Sequence, residues 1–114
     1  MPVIKVWCLP KLSEKKLQTI FKSIVSVVEG IEELGLKGEQ SMKILFPTDA
    51  MKYGLGTKII IEVTGLFKKP KRTKKVLARL AKGLGTALHR VFPKALVECS
   101  VHPFNPKQGF WISR

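Results

Sequence analysis

Apolar residues fall along this chain in two patterns, short continuous runs and two longer stretches with a period near 3.6. Residues 3–9 (VIKVWCL) are continuous and rich in β-formers, which reads as a mostly buried strand. Leu9-Pro10-Lys11-Leu12 then turns the chain. Ser13 is placed to cap a helix, with Glu14 favourably in its first turn. Leu17, Ile20, Phe21, Ile24, Val27, Val28 and Ile31 follow at helical spacing, while Lys15, Lys16, Lys22 and Glu29 fall on the other face. Gly30 and Gly35 mark the end of that helix and the loop beyond.

A strand closes the first half, and the second half repeats the rhythm. Met42 to Phe46 reads as a strand stopped by Pro47, and 47–57 as a loop without period. Lys58 to Thr64 is the clearest strand, and the unbroken Ile59-Ile60-Ile61 predicts burial on both faces. Gly65 to Arg72 is a basic loop. Thr73 caps a second helix with the stripe Val76, Leu77, Leu80, Ala81, Leu84, Leu88 and Val91, ended by Pro93. Gly83 and Gly85 weaken it by about 1 kcal/mol each relative to Ala and leave room for close packing. Leu96 to Val101 is a fourth strand, and 102–114 a tail holding Pro103, Pro106, Gly109, Phe110 and Trp111.

The chain is thus β-α-β written twice, with pseudo-repeats of about 2–46 and 58–101 inside one domain spanning 1–114. The class is α+β. Element order leaves two architectures open: a ferredoxin-like split βαβ, or halves set side by side with parallel strands inside each.

Composition narrows the class. A hydrophobic share of 45% is enough for a core and argues against disorder. No apolar run approaches the ~20 residues of a membrane span, and Lys5 and Pro10 interrupt any signal-peptide h-region, so a cytoplasmic location is expected. Cys8 and Cys99 fall in strand-like runs without metal-ligand spacing, as buried reduced thiols do. No metal and no cofactor are expected. The net charge of +13, from 21 Lys and Arg against 8 Asp and Glu, calls for anionic partners: small carboxylates, phosphates or nucleic acid. Lysines dominate the cations, and as point charges they suit base reading less well than arginine forks.

Pro2 is the candidate chemistry. Proline is tolerated in strands at an edge or at the first position, and here it heads the first strand. If Met1 is trimmed, its nitrogen becomes a free secondary amine that titrates near ~8 in water and lower beside cations. Such a group is a base at neutral pH.

Met1-Pro2 leading directly into a strand, the doubled unit and the length of 114 residues resemble the tautomerase superfamily, and within it the two-repeat members typified by macrophage migration inhibitory factor. Gly35-Leu36-Lys37-Gly38-Glu39-Gln40 is similar to the segment that carries a pocket lysine there. The resemblance implies a four-stranded mixed sheet with two helices packed on one face, and a homotrimer with sites between adjacent subunits. It implies Pro2 as general base and acid, Lys37 as a substrate-binding cation, pocket-lining backbone at Thr64 and Gly65, and an aromatic wall from Phe110 and Trp111. Glu98 and Ser100 stand where the family's pocket Tyr and Asn stand, and only Lys11 and Lys15 stand near the arginines of 4-oxalocrotonate tautomerase. The implied activity is tautomerisation of a small anionic keto or enol acid, which needs a base near its working pH and a cation, Lys37 or Lys5, for the enolate.

The run Lys68-Lys69-Pro70-Lys71-Arg72-Thr73-Lys74-Lys75 supports a rival: a non-enzymatic module holding nucleic acid or another polyanion. The absence of aromatic residues within it disfavours base stacking and favours guidance of a small acid. An inactive family member kept as a scaffold is a third reading. His89 and His102 are lone histidines with no partner visible in the sequence.

Overall fold

The computed structural model describes residues 1–48, 50 and 55–113. The described residues form four strands and two α-helices in the order β1 (Val3–Trp7), α1 (Glu14–Glu29), β2 (Lys43–Leu45), β3 (Lys58–Phe67), α2 (Lys74–Val91) and β4 (Leu96–Phe104). Single 3₁₀ turns at Glu32–Leu34 and Glu39–Ser41 lead from α1 into β2. The sheet order is β2-β1-β3-β4. β1 pairs parallel with β2, β3 pairs parallel with β4, and β1 and β3 meet antiparallel at the centre. Each half is therefore a βαβ unit joined to its twin, the side-by-side architecture rather than the split one.

Both helices are capped as their sequences require. Ser13 Oγ accepts from the Lys16 N–H at 3.2 Å, and Thr73 Oγ1 from the Val76 N–H at 3.4 Å. Ile20, Ile24 and Val28 of α1 and Val76, Leu80, Leu84 and Leu88 of α2 are buried in one cluster with Ile4, Val6, Ile59, Ile61 and Val63 of the sheet. Both helices thus cover the same face. Full burial of each such side chain stabilises by roughly 1.5–3 kcal/mol. Gly83 lies where the helices touch: a Cβ there would stand 2.7 Å from Val27 Cγ1, whereas one at Gly85 meets nothing within 4 Å.

Several expectations are corrected. β1 is a five-residue strand that alternates, with Ile4 and Val6 buried and Val3, Lys5 and Trp7 half-buried. Within the single chain Ile60 is half-buried between two fully buried isoleucines, so the chain's own core covers one face of this strand. β2 is confined to Lys43–Leu45. β3 runs on through Gly65, Leu66 and Phe67, and β4 continues to Phe104 into the expected tail. Cys8 lies past the end of β1 with φ 69°, an uncommon conformation for a residue with a side chain, and its carbonyl accepts from the Gly56 N–H at 2.8 Å. Part of the loop expected at 47–57 lies outside the described residues. No described helix is long and apolar enough to cross a membrane.

Candidate active site

Pro2 stands at the head of β1 between two neighbouring strands. It is buried, in phase with Ile4 and Val6, while Met1 is 63% exposed. Its carbonyl accepts from the Lys43 N–H at 2.8 Å, which pins it to the start of β2. The same bond opens the other half, where the Leu96 N–H donates to the Thr57 carbonyl at 2.9 Å. Thr57 therefore holds in the second half the place Pro2 holds in the first, and the chain carries one proline for two equivalent strand heads.

On the other side of Pro2, β3 bulges. Val63 pairs with Val101 but Leu66 with Pro103, so β3 spends one extra residue at Thr64-Gly65. Gly65 takes φ 72°, which favours glycine. The bulge brings it against the chain start: a Cβ at Gly65 would lie 3.0 Å from the Met1 carbonyl oxygen and 3.7 Å from Pro2 Cα. It also reverses the alternation of β3, whose buried residues run Ile59, Ile61, Val63 and then Leu66. Phe67 then joins Phe104 and Phe110 in an edge-to-face cluster, with centroids 5.3, 5.1 and 5.9 Å apart. This cluster closes the same end of the sheet as Pro2.

Of the residues singled out from sequence, Thr64, Gly65 and Phe110 belong to the Pro2 end of the fold. Lys37 is exposed in the loop entering β2, whose Gly38 N–H donates to Glu29 Oε2 at 2.7 Å. Trp111 is 83% exposed and touches no described ring. Lys5 sits on the open face, about 10 Å along β1 from Pro2 at strand rise. Glu98 and Ser100 are exposed on that face of β4, in register with Ile60 and Glu62. Within one chain they are remote from Pro2. Glu98 pairs with Lys58 at 3.7 Å, and Ser100 Oγ lies 2.9 Å from His102 Nε2, giving that histidine a partner.

Three features escaped the sequence. Phe67 and Phe104 complete the aromatic cluster, visible only once β3 and β4 are extended past their expected ends. Trp7 Nε1 donates to Glu62 Oε1 at 2.5 Å across the open face. Arg72 is a clamp rather than a free cation: its Nη1 donates to the Phe67 carbonyl at 2.7 Å and its Nη2 to the Leu34 carbonyl at 2.8 Å. Its Nε is buried with no partner among the described residues, and burial lowers its pKa from the ordinary value. The basic run is thus tethered near its middle, with Lys68, Lys69 and Lys71 exposed.

Among solved structures, macrophage migration inhibitory factor from Toxoplasma gondii is similar over 98% of this chain and 97% of its own, with a TM-score of 0.68 at 15% identity. A fused 4-OT, described as a symmetric trimer, is similar over 92% of this chain and 87% of its own, with a TM-score of 0.66 at 12% identity. The fold is that of the tautomerase superfamily. A malonate semialdehyde decarboxylase shares this tautomerase fold over 98% of the chain and 92% of its own, with a TM-score of 0.57 at 14% identity. No family model and no curated relative matches the sequence. The two-helix, four-stranded arrangement implied by the resemblance is therefore the one observed, at identities that speak for the fold.

Proposed function

We propose that this chain is a trimeric tautomerase-like enzyme that uses Pro2, after removal of Met1, as general base and acid on a small anionic keto or enol acid. The observation that supports it is the setting of Pro2: a buried strand head pinned by Lys43, backed by the Gly65 bulge and closed by Phe67, Phe104 and Phe110. In the uncut chain its nitrogen is a peptide amide, with no basic lone pair. Once free, it takes a proton from the carbon next to the substrate carbonyl and returns it at the neighbouring position. Lys37 offsets the enolate charge as it develops, and the aromatic cluster keeps water from the reacting atoms.

The trimer completes the site. The open sheet face, with Trp7 and Ile60 half-buried and Leu45 and Leu96 exposed at its edges, leaves apolar surface for a neighbour to cover. Glu98 and Ser100 then enter a site from the adjacent subunit. The fused 4-OT of the same fold is a trimer.

Intact mass of natively expressed protein should show loss of Met1, and light scattering three times the 12.8 kDa chain mass. Pro2→Ala should lower turnover of the enol form of phenylpyruvate by about 10²-fold or more, the reach of a positioned base. Retained Met1 would leave a scaffold with the fold and without the chemistry, and an unchanged rate would make the proline incidental.

A further inference from the structure

The outer surface of α2, away from the sheet and from Pro2, carries charge of a single sign. α2 contains no carboxylate in eighteen residues. Lys75, Arg79, Lys82 and Arg90 are exposed and recur at helical spacing on the side opposite its buried stripe of Val76, Leu80, Leu84 and Leu88. Like charges three and four apart repel, and Lys74 and Lys75 oppose the dipole at the helix N-terminus. Arg79 meets Glu33 at 3.0 Å, and the Glu29 carboxylate is engaged by Gly38. Lys75, Lys82 and Arg90 have no ion-pair partner among the described residues.

The stripe borders a trough. α1 runs antiparallel to α2, and the close approach of Gly83 to Val27 draws the helices together. A hollow of about 490 Å³ lined by Lys22 adjoins one of about 440 Å³ lined by Arg79, Lys82 and Thr86, and Ser26, Val27, Ala87 and Arg90 are common to both. From Lys75 to Arg90 the helix rises about 22 Å, long enough to follow several phosphates of a strand spaced about 3.4 Å apart along a duplex axis.

We propose that this helix face binds double-stranded nucleic acid through its phosphate backbone, as a function separate from the chemistry at Pro2. A pI near 10.1 with cations ranked along one helix is the electrostatic footprint of such a surface. Neither helix exposes a large hydrophobic residue among those described, so the face has no anchor for a bilayer or for a peptide's apolar side chains. It also presents no exposed aromatic ring for unpaired bases, which points to duplex rather than single strand. Lysine-led contacts of this kind position without reading sequence.

The test is fluorescence anisotropy of the full-length protein with a labelled DNA duplex of about 20 base pairs, titrated between about 50 and 200 mM salt. Binding should weaken linearly on a log–log plot, and Lys82→Gln with Arg90→Gln should reduce the slope by about 1.8, at 0.9 for each phosphate no longer neutralised. Lys68→Gln with Lys69→Gln removes the same charge from the basic loop and should change the slope by less than half as much. Both pairs are exposed, and circular dichroism confirms that each variant is folded. No duplex binding at about 50 mM salt, equal losses in the two double variants, or tighter binding of poly-glutamate than of duplex would each overturn the proposal. Tautomerase turnover in Lys82→Gln/Arg90→Gln should be unchanged, and duplex binding should survive Pro2→Ala.

Discussion

Trp7 and Glu62 are joined across the centre of the open sheet face, the indole N–H donating to the carboxylate at 2.5 Å. They are diagonal neighbours, since Trp7 stands opposite Ile60 in the antiparallel register and Glu62 is the next residue on the same face. Lys5 is directly opposite Glu62, so an aromatic ring, an acid and a base share this part of the surface. A charge-assisted bond on a half-buried face ties the Trp7 indole to β3.

A double-mutant cycle of Trp7→Phe and Glu62→Gln should therefore return a coupling of about 1 kcal/mol, below the roughly 1.5–3 kcal/mol of a fully buried bond to a charged group. Urea denaturation of the four proteins measures it. Additive effects would show that the bond contributes nothing in solution.

The two α2 glycines should respond oppositely to alanine. Gly85→Ala fills open space in a helix interior and should stabilise by about 0.5–1 kcal/mol. Gly83→Ala gains the same propensity but drives a methyl to 2.7 Å from the stiff Val27 side chain, and overpacking of that kind costs about 1–3 kcal/mol. Thermal melts of the pair separate close packing from mere helix weakness.

That contrast shows how far the sequence was legible. Both glycines read alike as helix weakeners with room for packing, because only the crossing point of the helices distinguishes them. Caps and stripes were readable since they depend on neighbours within one turn: Ser13, Thr73 and both buried stripes stand where their spacing put them. The ends of β3 and β4 were not, because Gly65 in a strand looks like a loop until its partner is known. Ile59-Ile60-Ile61 is ambiguous for the opposite reason, as one residue type obscures which face the chain's own core covers. For the site, Pro2 was conspicuous as an anomaly, whereas Arg72 hid inside a run of lysines whose free ends differ from it only by tertiary contact.

Arg72 supplies a further prediction. Its two carbonyl bonds tie the basic loop to Phe67 in one half and Leu34 in the other. Arg72→Lys cannot reproduce a fork to two acceptors and should destabilise by about 1–3 kcal/mol, the cost of leaving buried polar groups unpaired. Lys69→Gln nearby should stay within about 0.5 kcal/mol. Equal denaturation midpoints would remove the clamp from the account.

Cys99 gives the pH dependence. Burial against the helix side of β4 raises its thiol from 9.0 to about 11. At pH 8 its thiolate population is about a hundredfold below that of an ordinary thiol, and alkylation should be slower to match. The folded-state value lies above the unfolded one, so its stabilising contribution is complete below pH 9 and is lost as pH rises towards 11. Cys99→Ala should flatten the alkaline limb of a stability–pH curve over that window.

The extra residue in β3 also bears on how the chain tolerates change in length. A strand packed on one face counts its residues in twos, so gaining or losing a single residue between Ile59 and Val63 would put the buried residues on its two sides out of phase and turn one set out of the core. At Thr64-Gly65 the count is already broken, and an altered length there shifts only Leu66 and Phe67 beyond it. Insertions and deletions thus have one place along this strand where the effect on the core is confined to Leu66, and that place adjoins Pro2. The surroundings of the proline are free to be reshaped while the sheet that carries it stays as it is.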